Sequence, residues 1–342
     1  MKAFNLDRHW QDVHEKVNDL ANKYLMQGVC QQGSLTEDLE QKILQTTKTK
    51  YCATFGSGTA ALTQGLRSLN LPPKTEVLVP AYTFLATASA ILLAGLSPVF
   101  VDVDEYYHID LTDAERKAGK NTKVLIYVTL LGSPAKQNIS DWCKERNIYL
   151  VEDAAQSLGA PHSDCLFSVL SFSPTKPCTS FGSGGAVITN NFGIYYATKL
   201  GRLHGKQKND DISSHLGINS VMSTHEVASV MINLDLLNKH QSRRTKIAQY
   251  YYFTLANHVD FARYRAGSTY SKFVIQHMNR DNMPGTVHYK QCPYQEDIFV
   301  KYRTDTPKNT MYLQRVSKTL PNCAYMTDSE VDTVVQAVKA AS

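Results

Sequence analysis

Short apolar runs alternate with amphipathic stretches along much of the chain up to residue 190. The apolar runs are rich in β-branched residues and nearly continuous, as is typical of strands that are covered on both faces. The stretches between them carry apolar residues at helical spacing. The predicted strands cover residues 51–55, 76–80, 97–104, 123–130, 147–153 and 186–189, and the predicted helices cover 60–69, 83–94 and 138–146. This alternation predicts βα units and a largely parallel sheet.

The pattern changes on both sides of this region. Residues 1–50 are polar and predict two helices, over 12–24 and 36–46, which are separated by glycines. A long helix is expected from residue 224 to about 258, followed by weak strands over 271–277 and 285–289 and a last helix over 329–341. We therefore expect a large domain with an N-terminal helical arm over residues 1–235. A small α+β domain is expected over 236–342.

Composition narrows the class of protein. The chain has 342 residues, 43% of them hydrophobic and 20% charged, with a net charge of +5. These values are ordinary for a globular protein, and without long runs of like charge no nucleic-acid partner is expected. No signal peptide and no membrane segment are expected, because the N-terminus and the apolar runs lack their features. The seven cysteines show no CxxC spacing, which favours reduced thiols in the cytoplasm and no metal site.

Residues suited to chemistry follow several of the predicted strands. Because the carboxyl ends of parallel strands meet at one edge of a sheet, these residues are expected to converge there. Each has an ordinary alternative role: Thr59 or Asp153 as a helix cap, and Phe84 as a core residue. Their convergence on one edge favours a common site instead. The candidates are Gly58 and Thr59, Phe84, Asp153 and Gln156, and Ser171 and Lys176.

Lys176 lies in a loop between two prolines, Pro174 and Pro177, and glycines follow before the next strand. By itself this could be a solvated surface lysine. Together with the other candidates, it matches the requirements of pyridoxal 5′-phosphate (PLP). That cofactor needs a lysine for a Schiff base, a carboxylate at the pyridine nitrogen, donors for a phosphate and an aromatic ring to stack on.

The same residues carry a resemblance to the DegT/DnrJ/EryC1/StrS family of sugar aminotransferases. The matching stretches are GSGTAAL at 56–62, VPAYTFLAT at 79–87, PVFVDVD at 98–104, VEDAAQ at 151–156 and the segment around Lys176. The likeness is weaker at 217–220, 288–289 and 320–321 and spans nearly the whole chain. It implies fold type I of the PLP-dependent transferases, with a mostly parallel central sheet between helices and a small α+β C-terminal domain.

The resemblance also implies a role for each site residue. Lys176 would form the Schiff base and shuttle a proton, and Asp153 would pair with the pyridine nitrogen. Gln156 would bond the phenolic oxygen of the cofactor, and Phe84 would stack on its ring. The phosphate would be held by Gly58, Thr59 and Ser171, and by Asn219 from a second subunit, in a homodimer with shared active sites.

The function implied is amino transfer from L-glutamate, by way of the pyridoxamine 5′-phosphate (PMP) form, to a nucleotide-linked keto sugar. Two alternatives stay open: a PLP-dependent sugar dehydratase or other PLP lyase, and an inert PLP-binding regulator. Some sugar dehydratases of the family replace the lysine with histidine, and Lys176 argues against that reaction.

The sequence departs from the family pattern in places. Asn219 is followed by Ser220 and Val221, where the family usually has an aromatic residue and an arginine. Ser183 stands where an acidic residue is common, and Ser173 where histidine is frequent. A His-Leu-Tyr-Gly pattern is replaced at 129–132 by Thr-Leu-Leu-Gly. We expect these changes to affect the choice of donor and sugar and to leave cofactor binding intact.

Overall fold

A computed structural model describes residues 4–206 and 215–342 of the chain. Its centre is a sheet of seven strands in the order β1-β7-β6-β5-β4-β2-β3. The strands are β1 (Tyr51–Phe55), β2 (Glu76–Pro80), β3 (Ser97–Val101), β4 (Thr122–Val128), β5 (Tyr149–Asp153), β6 (Phe167–Ser171) and β7 (Gly185–Thr189).

The direction of the strands determines where the loops meet. Strands β2 to β6 pair in parallel, whereas β7 is antiparallel to both of its neighbours, β6 and β1. Two reversals cancel, so β1 runs in the same direction as β6. The carboxyl ends of every strand except β7 therefore lie at one edge of the sheet, and the predicted, mostly parallel architecture is confirmed.

Helices cover both faces of this sheet. The α-helices among the described residues are α1 (Leu6–Leu25), α2 (Ser34–Thr47), α3 (Gly58–Arg67), α4 (Leu85–Leu93), α5 (Leu111–Lys117), α6 (Ile139–Glu145), α7 (Phe192–Gly201), α8 (Thr224–Leu255), α9 (Lys308–Val316) and α10 (Asp328–Ala341), and not all of them pack on this sheet. Successive residues of a strand point to opposite faces. Phe55 of β1 accordingly packs in a core with α3 and α4, whereas Cys52 packs in another with α1, α2 and α8.

Local sequence explains where the helices that matter for the site begin. The Ser57 hydroxyl accepts a hydrogen bond from the Ala60 N–H at 3.1 Å, so Ser57 caps α3. At the start of α8, Ser223 and Glu226 form a capping box, in which each side chain bonds the backbone of the other. Because Ser57 caps α3, the short loop between β1 and α3 has a fixed geometry.

The C-terminal part of the chain forms a second, antiparallel sheet. Its strands are β8 (Asp260–Phe261), β9 (Phe273–Gln276) and β10 (Ser317–Leu320), in the order β10-β9-β8. The second half of α8 and helix α10 pack on it. The strand predicted over 285–289 is wrong: only Thr286 bridges to this sheet, through Thr319. The chain then leaves β10, because the Tyr82 hydroxyl bonds the carbonyl oxygen of His288 and holds the segment against the large sheet.

Helix α8 connects the two sheets without interruption. Leu234 and Leu237 pack in the core that contains α1 and α2, whereas Ile247 and Tyr251 pack in the C-terminal core. The division of the chain predicted at residue 235 thus falls within a continuous helix and stays a prediction. Over the described ranges, no helix combines the length and the apolar character needed to cross a bilayer.

Candidate active site

A cavity of about 300 Å³ opens at the carboxyl edge of the large sheet. Its volume is at the lower end of the range that is usual for small-molecule sites. The structure brings nearly all the predicted site residues together around it, namely Gly58, Thr59, Phe84, Asp153, Gln156, Ser171 and Lys176. They come from the ends of four strands, β1, β2, β5 and β6, as the parallel arrangement requires.

Asp153 is the last residue of β5 and is buried at the base of the cavity. The Thr87 hydroxyl donates a hydrogen bond to Asp153 Oδ2 at 2.8 Å, and the Ala155 N–H donates to Oδ1 at 3.2 Å. Burial raises the pKa of this carboxyl, while the Thr87 bond and the positive charge of Lys176 act in the opposite direction. A cationic ligand group beside Asp153 would therefore be strongly favoured.

Lys176 approaches the same cavity from the loop after β6. Its backbone N–H donates to the Ser173 carbonyl at 3.0 Å, which closes a tight turn. Burial lowers the pKa of the Lys176 ammonium, and the nearby Asp153 opposes this shift. A lowered pKa increases the fraction of neutral amine, the form of lysine that attacks carbonyl groups.

The first turn of α3 forms a cradle for an anion. The first N–H groups of a helix have no acceptor within the helix, and Ser57 already bonds the N–H of Ala60. The N–H groups of Gly58 and Thr59 thus remain for a ligand. A Cβ on Gly58 would lie 3.1 Å from the Cβ of Ser171, so glycine is what allows α3 to approach the end of β6. These donors suit a phosphate group.

Phe84 stands beside the cavity with 54% of its surface exposed, which excludes the core role considered for it. It adopts an extended conformation just before α4. Its ring centroid is 5.8 Å from that of Tyr289, with the two planes tilted by 40°. An exposed aromatic ring at the rim of a cavity can stack on a flat heterocycle.

Gln156 is held at both ends of its amide. The Leu131 N–H donates to Gln156 Oε1 at 2.9 Å, and Gln156 Nε2 donates to the Tyr289 hydroxyl at 3.2 Å. Sequence reasoning did not assign Tyr289 or Thr87 to the site. Both residues lie within stretches that carry the family resemblance, at 79–87 and 288–289. The resemblance therefore marked their positions but did not indicate what their side chains do.

Asn219 does not line the cavity. It is exposed and forms a bridge with Leu203, while the adjacent Ser220 accepts a hydrogen bond from the Gly56 N–H at 3.0 Å. The segment that contains Asn219 and Ser220 thus contacts the end of β1 without entering the cavity. The contact predicted for Asn219 across a subunit interface stays a prediction.

Taken together, the side chains fit PLP. The cavity contains an amine of lowered pKa, a buried carboxylate, an exposed aromatic ring and a helix N-terminus with free N–H groups. At position 58, any residue other than glycine would place a Cβ in the space between α3 and Ser171, where the phosphate group is expected to bind. Within the described parts of the chain, no group of His, Cys, Asp or Glu side chains is arranged to hold a metal ion.

Comparison with known proteins agrees with this geometry. The model of the DegT/DnrJ/EryC1/StrS aminotransferase family matches residues 11–339. The chain belongs to this family. A family member from Pseudomonas aeruginosa, UDP-2-acetamido-2-deoxy-3-oxo-D-glucuronate aminotransferase, is 29% identical over 297 residues, which are 81% of this chain and 82% of the relative.

Two further known proteins cover more of the chain. The dTDP-3-amino-3,6-dideoxy-alpha-D-galactopyranose transaminase of Aneurinibacillus thermoaerophilus is 27% identical over 95% of this chain and 94% of its own length. The crystal structure of NtdA from Bacillus subtilis with bound PMP superposes with a TM-score of 0.93. It is 24% identical and covers 100% of this chain and 85% of NtdA. The predicted family, fold class and aminotransferase assignment are confirmed.

Proposed function

We propose that the chain is a PLP-dependent aminotransferase that transfers the amino group of L-glutamate to a nucleotide-linked keto sugar. The observation that carries this proposal is the meeting of Lys176 and Asp153 in one buried cavity, beside the free N–H groups of Gly58 and Thr59. The names of the two relatives from Pseudomonas aeruginosa and Aneurinibacillus thermoaerophilus support the substrate class, because both name a nucleotide-linked sugar.

When bound, PLP would supply an electron sink for the negative charge that develops at the carbon bearing the amino group. Asp153 would keep the pyridine nitrogen protonated, and the Thr87 hydroxyl holds its carboxylate in place for this role. Phe84 would cover the ring, and the α3 cradle with Ser171 would bind the phosphate. Gln156 would bond the phenolic oxygen.

Lys176 would hold the cofactor before the donor arrives. Once displaced, its amine would carry a proton between the substrate carbon and the cofactor. Burial lowers the pKa of Lys176, which keeps part of the amine neutral and able to accept this proton.

A homodimer with shared active sites belongs to the same proposal. Asn219 is exposed and lies near the end of β1, next to Ser220, which bonds Gly56. From this position its side-chain amide could contact the active site of a second copy of the chain. Exchange of Asn219 for alanine should weaken cofactor binding without affecting the fold of the subunit. An unchanged affinity for PLP would contradict the role of Asn219.

The test uses purified protein incubated with PLP. We expect a visible absorbance band from bound cofactor, which is lost in Lys176→Ala and is converted to the PMP spectrum when L-glutamate is added. A subsequent panel of UDP- and dTDP-linked keto sugars should restore the original band with an acceptable substrate. A protein that takes up no PLP would refute the proposal.

The same experiment separates the alternatives. If PLP binds but L-glutamate leaves the spectrum unchanged, while a keto sugar is dehydrated when PMP is supplied, the chain is a dehydratase. If neither the donor nor any sugar changes the spectrum, the chain is a PLP-binding regulator. The confirmed aminotransferase family and the transaminase relatives favour neither of these outcomes.

A further inference from the structure

A second cavity lies on the other side of the loop that carries Lys176. Its volume is about 60 Å³, and it is enclosed by the start of α1, the middle of α8 and the edges of β9 and β10. The two cavities have only Lys176 in common. A cavity of this size accommodates a few water molecules or one small anion, but not a sugar nucleotide.

Arg244 of α8 is the first unusual group in this cavity. Its side chain is buried, with a relative exposure of 7%. Its Nε and Nη2 atoms have no hydrogen-bond partner among the described residues. Burial of a guanidinium group without a partner is costly, and a polar ligand would remove that cost.

Lys272, the residue just before β9, supplies a second buried cation. Its exposure is 4%, its Nζ donates to the Thr175 carbonyl at 3.2 Å, and it lies 4.2 Å above the ring of Phe4. Burial and the positive charges of Lys176 and Arg244 lower the pKa of Lys272 to about 7. The Lys272 ammonium thus keeps two N–H donors available for a ligand, and within residues 4–206 and 215–342 no carboxylate forms an ion pair with it.

The remaining walls do not neutralise these cations. In the described part of the chain, no Asp or Glu lines the cavity. Besides the two cations and Lys176, the titratable side chains that line it are His9, His240, Cys323 and Tyr325, and the hydroxyl of Tyr325 is bonded to Asp12 at 2.8 Å. His288 interacts with Lys272 and Lys176, and Asp153 faces Lys176 from the active-site cavity. Ser271 also lines the cavity, and its buried hydroxyl has no hydrogen-bond partner among the residues that the structure describes.

We propose that this second cavity binds a small oxyanion, a phosphate or carboxylate group, between Arg244 and Lys272. The guanidinium group can donate two parallel hydrogen bonds to such a ligand, and the ammonium and the Ser271 hydroxyl can add others. The site is separate from the phosphate cradle at the start of α3. Two sources fit the chemistry: free inorganic phosphate and a carboxylate of the amino donor, and the second source alone rests on the proposed function.

An anion in this site would act on Lys176. Lys272 is bonded to Thr175, the residue before Lys176, and the charges of the two lysines repel each other. A bound anion would compensate this repulsion and favour the protonated forms of both groups. The occupant would therefore set the pH range over which the lysine of the active site works.

The test is calorimetric titration of PLP-saturated protein with two probes: inorganic phosphate, and glutarate, which has the carboxylates of glutamate but no amine. Saturation with PLP keeps phosphate out of the α3 cradle. We expect saturable binding of at least one probe, weakened about tenfold or more in Lys272→Met and in Arg244→Met, because each removes a charge-assisted bond. Arg243→Gln is the matched control, since Arg243 is bonded to Asp328 and lies outside the cavity.

Each outcome is informative. Tighter binding of phosphate supports a free anion as the occupant, whereas tighter binding of glutarate supports the donor carboxylate. No saturable binding of either probe, or equal binding to the parent protein and Lys272→Met, would overturn the proposal. Methionine keeps the apolar length of Lys272 beside Phe4, so this variant carries the test if Arg244→Met does not fold.

A second readout follows the coupling to Lys176. Bound PLP changes its visible absorbance with pH, and we expect the saturating anion to raise the midpoint by about half a pH unit or more. The shift should be absent in Lys272→Met. An unchanged midpoint with the anion bound would overturn the coupling. Failure to bind PLP would refute the proposed function alone, because binding of the probes and its loss in Lys272→Met can be measured without the cofactor.

Discussion

Replacement of Thr87 by valine probes the carboxylate on which the proposed chemistry depends. The substitution keeps the shape of the side chain and removes the hydroxyl that donates to Asp153 Oδ2 at 2.8 Å. Both residues are buried, with exposures of 2% for Thr87 and 8% for Asp153, so water cannot readily replace the lost donor. The negative charge of Asp153 then has less stabilisation than before.

The size of the effect follows from the type of bond. A hydrogen bond to a charged group contributes roughly 1.5–3 kcal/mol. Since 1.36 kcal/mol corresponds to one pKa unit, the pKa of Asp153 should rise by about 1 to 2 units in Thr87→Val. The shift has the same sign as that caused by burial and the opposite sign to the contribution of Thr87. Ionised Asp153 is thus lost at a higher pH than in the parent protein.

The assay is the pH dependence of kcat/KM for amino transfer, together with the affinity for PLP. We expect the acidic limb of the profile to move up by about 1 to 2 pH units and PLP to bind about tenfold or more weakly near neutral pH. Thr198→Val is the control, since the Thr198 hydroxyl is equally buried but bonds only backbone carbonyls of α7. An unshifted acidic limb with unchanged PLP affinity would refute the role assigned to Asp153.

Three further substitutions test other parts of the structure. Gly58→Ala places a Cβ 3.1 Å from Ser171 Cβ, and PLP affinity, measured by absorbance titration, should fall about tenfold as the cradle is displaced. Glu40→Gln removes the negative charge that pairs with buried Arg202 and leaves this guanidinium with the neutral oxygens of Thr54. Urea denaturation should show a loss of about 3–5 kcal/mol in unfolding free energy, because the buried charge is no longer compensated. Tyr289→Phe removes one acceptor of the Gln156 amide, and kcat/KM should fall roughly 3- to 10-fold.

Each of these has a matched comparison. Gly119→Ala, where a Cβ meets only Glu76 at an ordinary 3.5 Å, should leave PLP affinity unchanged. Glu40→Gln should lower stability without changing the spectrum of bound PLP, because Glu40 is outside the cavity. Equal PLP affinity in the Gly58 and Gly119 variants would contradict the role of the cradle. A stability loss of less than about 1 kcal/mol in Glu40→Gln, which is typical of a solvent-exposed ion pair, would contradict the buried pair. Unchanged kcat/KM in Tyr289→Phe would contradict the role of the Tyr289 hydroxyl.

Local patterns were sufficient for the strands that form the site. The strands predicted over 51–55 and 76–80 match β1 and β2 at both ends. Glycine or proline marks the carboxyl end of each apolar run, with Gly56 after the first and Pro80 as the last residue of the second. The helix predicted from residue 83 begins instead at Leu85. Phe84 is thereby left extended and exposed, which is what its proposed stacking role requires.

Contacts between distant segments were beyond the reach of such patterns. The segment 285–289 has the composition of a strand, yet its position is determined by Tyr82 and Gln156, which lie far away in the sequence. The second cavity is a similar case. Arg244 lies in α8 and Lys272 lies just before β9, in local sequences that contain no motif. Only the packing of α8 against β9 makes them neighbours.

The reversed strand β7 also has a consequence for biosynthesis. Tyr51 pairs with Thr189, so β1 has no partner in the sheet until the ribosome has produced β7. The cradle at the start of α3 and the loop of Lys176 are joined through this pairing. A nascent chain that ends before Gly185 carries every predicted cofactor residue except Asn219, but it cannot hold the two halves of the site together. Uptake of PLP would therefore indicate that β7 has paired with β1 and β6. A chain stalled before β7 would leave the edge of β6 unpaired and able to associate with strands of other chains.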